Sequence, residues 1–191
     1  MWDDRYEGAD LVWSAEPNLF LPPLVEGVTP ATALDVACGE GRNAIWLARQ
    51  GWTVTGVDFS PVGIDKAHRL AGETQVEWVV ADVTTYEPGK TFDLVVIVYL
   101  HLPMPQLAAA FERAVGAVAP GGTFFGVGHA LSNLTDGYGG PPYPEILWST
   151  DRITPFVDGL DIIELGERER HVEEADATAI DFVAWGTKPA T

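Results

Sequence analysis

The chain is poor in cysteine: Cys38 is the only one among 191 residues. No disulfide can form within it, which excludes a disulfide-stapled scaffold. Basic residues are also scarce, with 11 Lys and Arg against 28 Asp and Glu and a formal net charge of −17. The few basic residues form no run. Nucleic acid is held largely through basic surface, and an anionic membrane surface asks for the same. Neither is expected as a partner. No apolar run approaches the ~20 residues of a membrane-spanning helix. The opening MWDDRYEGAD is acidic and lacks the basic-then-apolar order of a signal peptide. A cytoplasmic location follows as the expectation. Repeats, low-complexity tracts and linkers are missing too. Pro22-Pro23, Pro120 to Gly122 and Gly139 to Pro142 read as punctuation inside one domain spanning residues 1–191. That length, at 47% apolar content, supports one full core and little more.

What is present is concentrated in ALDVACGEGRNAIWLA, Ala33 to Ala48. An apolar run leads into a glycine turn, and a helix-forming segment follows at once. Small residues let a ligand lie close to the backbone. The helix start aims unpaired N–H groups at the same place. Gly39 to Ala44 satisfies the dinucleotide pattern G-x-G-x-x-G/A, and Asp58 closes the next apolar run, where an acid can take ribose hydroxyls. Taken alone, these features fit a nicotinamide enzyme. Asp35, inside the first strand, argues otherwise. A carboxylate there repels a pyrophosphate and suits a cationic ligand. A third run, VEWVVAD, ends in Asp82, which can accept from an adenine amino group.

Strands are expected over Ala33–Ala37, Thr53–Asp58, Val76–Ala81, Phe92–Val98 and Thr123–Gly128. Helices are expected over Arg42–Gln50, Pro61–Ala71 and Pro105–Val118, the last with a helical stripe at Leu107, Phe111, Ala114, Val115 and Val118. Ser60-Pro61 is a good helix entry. Such alternation predicts an α/β fold, with a parallel sheet covered by helices on both faces. Two further strand-like runs, Asp161–Leu165 and Ala177–Gly186, are joined through a charged stretch, Glu167 to Asp176. With no helix between them, they predict an antiparallel hairpin at the sheet edge.

In this order, LDVACGEG, VTGVDFS, VVADVTTY, FDLVVIVYLHL and VAPGGTFF resemble the successive motifs of the class I S-adenosylmethionine-dependent methyltransferase family, with Ala37 where the family usually has its first glycine. The opening WDDRYEGADLVWSAEPNLFL is similar to the N-terminal segment of small bacterial thiopurine and tellurite-resistance-type members. The resemblance implies a doubly wound, mostly parallel seven-stranded sheet with the antiparallel C-terminal hairpin. It implies S-adenosylmethionine as methyl donor, S-adenosylhomocysteine as product and a small-molecule acceptor. It places Asp35, Ala37, Cys38, Gly39, Gly41 and Asn43 at the donor, with Asp58 and Phe59 after the second strand. Asp82 and Val83 follow the third strand, Tyr99 the fourth, and Trp13 belongs to the N-terminal segment. No metal is implied.

His101 follows the fourth strand, where the reactive end of the donor is expected, and is a candidate base for a substrate O–H or N–H. His129, at the end of the fifth strand, is a second candidate. Cys38 is read as a small packing residue rather than a nucleophile. Two aromatic segments, residues 1–23 and 130–148, fall outside the alternating core and are expected to cover the acceptor side. A monomer and a homodimer both fit the sequence. Two other functions stay open at this level: a nicotinamide-dependent reductase using the glycine turn, and a non-catalytic S-adenosylmethionine-binding module.

Overall fold

The computed structural model describes residues 2–8, 11 and 14–190. Seven strands form one sheet: β1 (Thr32–Val36), β2 (Thr53–Asp58), β3 (Glu77–Val80), β4 (Phe92–Val98), β5 (Val118–His129), β6 (Asp161–Val172) and β7 (Ala177–Thr187). Their spatial order is β3-β2-β1-β4-β5-β7-β6. The first five are parallel, and β7 lies antiparallel between β5 and β6. The chain reverses direction along the sheet between β3 and β4, so a crevice opens beyond the C-terminal ends of β1 and β4. Open α/β sheets bind ligands at such a switch point.

Both faces of the sheet are buried because successive side chains alternate between two cores. Leu34, Val36, Val95, Ile97 and Phe124 pack on one side with Leu107 and Phe111 of helix α5 (Met104–Gly116) and with Trp148. Ala33, Val54, Leu94, Val96 and Phe125 pack on the other with Ala44 and Leu47 of helix α3 (Arg42–Arg49). Helix α4 (Pro61–Ala71) starts as its sequence dictates, with Ser60 Oγ accepting the Gly63 N–H at 3.0 Å. Near the N-terminus lie two short helices, α1 (Trp2–Tyr6) and α2 (Leu21–Val25). Two one-turn helices, α6 (Asn133–Asp136) and α7 (Thr150–Ile153), follow β5.

Two expectations need correction. β5 begins at Val118, not Thr123; Pro120 to Gly122 sit at an irregularity where the β4–β5 register shifts. A bulge lets a strand carry residues that cannot join the ladder. The charged stretch from Glu167 is not a connection either. β6 runs on to Val172, because an edge strand can alternate charged with half-buried side chains. The turn itself is only Glu173–Ala175 plus Asp176, whose φ is +46°. The segment 130–148 is anchored at both ends. Ala130 and Trp148 form a bridge, and the Leu131 and Trp148 N–H groups donate to Trp148 and His129 carbonyls at 2.7 and 3.0 Å. Among the described residues, no helix is long and apolar enough to cross a membrane.

Candidate functional site

β1 ends at Val36, and the chain turns through five residues into α3. Ala37, Gly39 and Gly41 take φ of +58°, +54° and +80°. Only glycine takes such values without steric cost, so Ala37 holds the turn under mild strain. Packing also demands the glycines. A Cβ on Gly39 would lie 2.8 Å from the Tyr6 hydroxyl, and one on Gly41 would lie 2.5 Å from the Trp78 ring. Trp78 of β3 thus seats against the turn from below, and Tyr6 of α1 covers it from above.

Three carboxylates surround this turn and differ in their partners. Asp58, at the end of β2, accepts the Gly39 N–H at 2.8 Å on Oδ2 and the Ser60 N–H at 2.9 Å on Oδ1. It is buried, not a free loop acid. Burial raises its pKa, and the two N–H groups work against that rise. Asp35 accepts the Ala44 N–H at 3.0 Å on Oδ2, which fastens the start of α3 to β1. Its Oδ1 is buried with no partner, and burial pushes the carboxyl up to about 7. Asp82 is exposed and lines the cavity described below; its Oδ1 takes the Thr84 N–H and hydroxyl at 2.9 and 2.7 Å, and its Oδ2 has no hydrogen-bond partner among the described residues.

A cavity of about 570 Å³ opens over these groups. Of the expected donor residues, Ala37, Cys38, Gly39, Asn43, Asp58, Phe59, Asp82, Val83 and Tyr99 line it, and so does His101. Gly41 does not, since it lies beneath the turn against Trp78. Asp35 does not line it either: its carboxylate stands behind the turn, and its effect on a ligand is through the field. Trp13 lies outside the described residues. The Cys38 thiol is buried, and burial together with Asp35 and Asp58 raises its pKa well above the usual range, so no thiolate forms there. Asn43 Oδ1 accepts the Asn18 N–H at 2.8 Å, tying the N-terminal segment to α3.

Sequence reasoning missed two cations here. Lys66 of α4 is buried, pairs with Glu40 of the turn at 2.7 Å and donates to the Gly8 carbonyl at 3.0 Å. Ser60 Oγ also donates to the Asp3 carboxylate of α1. The N-terminal segment is therefore bound to the turn at several points. Arg42, the residue after Gly41, lines the cavity, and burial lowers its pKa. Its place next to the glycine turn was a usable signal. Lys66 gave none, because a lysine in KAHRL looks like solvated surface.

Beside Tyr99 and His101, which line the cavity, lies a polar cluster built on β5, β6 and β7; the expected second base, His129, belongs to it and does not itself line the cavity. Asp181 of β7 is fully buried. Its Oδ2 accepts from the Tyr99 hydroxyl at 2.8 Å and from Arg170 Nε at 2.8 Å. Its Oδ1 lies 3.1 Å from His129 Nδ1, close but off the straight line of a ring hydrogen bond. Burial raises the Asp181 pKa; the contacts from His129, Arg170 and Tyr99 outweigh it and hold the carboxyl below its ordinary value. Burial and the neighbouring Asp181 charge raise the Tyr99 hydroxyl. His101 stacks on both Tyr99 and His129, with centroids 6.2 and 5.3 Å apart, while the Tyr99 and His129 rings are tilted at 4.8 Å.

The two histidines differ in their free atoms. His101 Nε2 accepts the His129 main-chain N–H at 3.1 Å, and Tyr99 main chain also hydrogen-bonds the ring. Burial pushes its pKa down to about 4. With that lone pair engaged, His101 is held neutral as a wall of the cavity, which does not suit the role of base. His129 turns Nδ1 toward Asp181, while its Nε2 has no hydrogen-bond partner among the described residues and the side chain is 14% exposed.

Over residues 33–122 the chain matches a family described as "Methyltransferase domain". It is 32% identical over 132 residues to an uncharacterized methyltransferase of Mycobacterium tuberculosis, covering 67% of this chain and 66% of that protein. It is 35% identical over 105 residues to a ubiquinone biosynthesis O-methyltransferase of Escherichia coli, covering 52% of this chain. The chain thus spans just under two thirds of the first relative's length and 43% of the second's. Its fold is similar to that of TehB from Haemophilus influenzae, with a TM-score of 0.75 at 14% identity over 98% of this chain and 65% of that one. It is also similar to the N-methyltransferase NodS from Bradyrhizobium japonicum in complex with S-adenosylhomocysteine, with a TM-score of 0.72 at 18% identity over 96% of each.

Proposed function

We propose that the chain is a class I S-adenosylmethionine-dependent methyltransferase that transfers a methyl group from S-adenosylmethionine to a small-molecule acceptor, a reading supported by the methyltransferase family match, the methyltransferase relatives and the fold. The observation that carries this reading is the placing of Asp58 and Asp82 on consecutive strand ends, along one side of a cavity floored by a glycine turn. The residues fit the donor. The cavity volume suits a ligand of that size. Gly39 leaves room for close approach, and Asp58 keeps lone pairs for ribose hydroxyls beside its two N–H bonds. Asp82 Oδ2 suits an adenine amino group, with Phe59 and Val83 as apolar neighbours of the ring.

When bound, S-adenosylmethionine supplies a methyl group on a positively charged sulfur, open to in-line displacement by a nucleophile. The chain's residues hold and align the reactants and exclude water, for which ~7–11 kcal/mol is available in principle. Asp58 and, in its ionised form, Asp35 give the turn a negative field that favours a cationic ligand. The same field disfavours the pyrophosphate of a nicotinamide cofactor. Tyr6, Leu11, Ser14 and Ala15 of the N-terminal segment cover the cavity on one side, and residues 130–148, which do not line it, are assigned to the acceptor side.

Titration calorimetry tests the reading. Saturable binding of S-adenosylmethionine and S-adenosylhomocysteine, with no binding of NADH, is expected. Micromolar NADH binding without binding of either sulfur compound would refute it. Transfer of labelled methyl to any acceptor in a broad small-molecule screen separates an enzyme from a binding module.

A further inference from the structure

β5 and β7 run antiparallel, and their register sets His129 directly opposite Asp181. Opposed side chains on one face of such a pair are neighbours. The strand geometry therefore delivers an acid to the imidazole. A fully buried carboxylate is costly unless its contacts repay it. Asp181 has three partners, and they divide its two oxygens. Tyr99 and Arg170 occupy Oδ2, which leaves Oδ1 to His129 Nδ1. The backbone of Gly140 closes over the other edge of the ring: a Cβ there would lie 3.1 Å from His129 Cγ and Cδ2. Asn133 holds that loop by donating to the Gly139 carbonyl at 2.9 Å and accepting the Ile180 N–H at 2.7 Å. The imidazole is thus fixed on two sides, its Nε2 has no hydrogen-bond partner among the described residues, and its ring lies 4.8 and 5.3 Å from those of Tyr99 and His101, which line the cavity.

We propose that Asp181 is a positioning residue that holds His129 as the Nδ1–H tautomer, so that Nε2 takes the proton of an acceptor hydroxyl or amine. This rests on the methyltransferase reading and narrows the acceptor to an O–H or N–H nucleophile, such as a phenol. A thiol ionises near neutral pH and needs no such pair. In the step, the acceptor's X–H bond breaks and an N–H bond forms at Nε2. The resulting imidazolium lies beside the Asp181 carboxylate. The electron pair left on the acceptor forms the new bond to the methyl carbon, and the old carbon–sulfur pair stays on sulfur. The proton returns to solvent from the part-exposed side chain of His129. His101 has no part in the transfer, because its Nε2 already accepts the His129 N–H.

The test has an arm that needs no turnover. Long-range proton–nitrogen spectra of protein labelled at histidine nitrogen report the tautomer of each ring. In the wild type, His129 should carry its proton on Nδ1, and Asp181→Asn should shift it toward Nε2 while leaving His101 unchanged. An Nε2–H tautomer in the wild type, or no change in a folded Asp181→Asn variant, overturns the dyad. The second arm measures methyl transfer to phenol, 4-nitrophenol and thiophenol. His129→Gln and Asp181→Asn should each lose roughly 100-fold or more on phenol, less on the more acidic 4-nitrophenol, and under about threefold on thiophenol. Affinity for S-adenosylhomocysteine should change less than about twofold. A uniform loss across the three acceptors overturns the proton role. Turnover of thiophenol alone, or of none, overturns the acceptor class. Failure to bind S-adenosylhomocysteine at all refutes the methyltransferase reading instead, and the tautomer result still judges the dyad.

Discussion

At Asp35 one carboxylate oxygen is paired and the other is buried alone. Unfolded, the group loses its proton near 3.8; folded, near 7. Between those values the folded chain keeps a proton that the unfolded chain has released. The stability Asp35 contributes is therefore intact below about pH 4 and is lost as pH rises to about 7, by up to roughly 4 kcal/mol. Asp35→Asn should unfold with the wild type at pH 4 and outlast it at pH 8, as read by urea denaturation at both values. Asp58 behaves differently because both its oxygens hold main-chain N–H groups. Asp58→Ala should weaken binding of S-adenosylhomocysteine by about 1.5–3 kcal/mol and also lower stability by about 1–3 kcal/mol, since two buried donors are orphaned. Calorimetry and thermal melts on one preparation check both; full affinity in the variant would place the ribose elsewhere. The same reasoning bears on what the sequence disclosed. A lone acid in an apolar strand marked Asp35. That rule, applied to AIDFVAW, would have marked Asp181, which sequence reading passed over. His101 read as a base because its strand-end position was visible; the N–H that occupies its lone pair comes from a strand 28 residues on.

Elements were legible where one local cause dominates. Ser60-Pro61 set the start of α4, and both stripes of the alternating sheet showed in the apolar runs. Element ends were less legible where pairing overrides composition. β6 holds its charged residues in a strand because eleven register pairs with β7 supply its backbone partners. The cover segments divide in the same way. Residues 130–148 are held by main-chain bonds at both ends, leaving Tyr138 to Gly140 and Pro142 to Glu145 exposed. The N-terminal segment is held through Asp3, Tyr6 and Gly8. Limited proteolysis should therefore cut the free protein between Ser14 and Pro17 and between Tyr138 and Glu145, and S-adenosylhomocysteine should slow the first cut. Equal rates with and without ligand would show that the N-terminal segment does not cover the donor.

For the whole molecule, charge is the property that composition alone supplied. A net −17 makes a long-range field that attracts cations and that salt screens. The methyl donor carries a net positive charge at neutral pH, whereas the demethylated product is net neutral. Raising ionic strength from 20 to about 300 mM, across which the screening length falls several-fold, should weaken donor binding and leave product binding nearly unchanged. Calorimetry of the two ligands across that series checks it, and parallel slopes would remove the field from the argument.

The two halves of the site also lie far apart along the chain. The turn, Asp58 and Asp82 precede Asp181 by up to about 140 residues, and Asp181 is contributed by the penultimate position in the sheet order. A polypeptide leaves the ribosome N-terminus first, at roughly 5–20 residues per second. The groups that grip the donor thus emerge seconds before the acid that orients His129. The cores on the two faces of the sheet include Phe182 and Val183 of β7, so the donor-side turn gains its full packing only once that last strand is in place. Both halves of the site are thus completed by one event, the laying of the closing hairpin against β5.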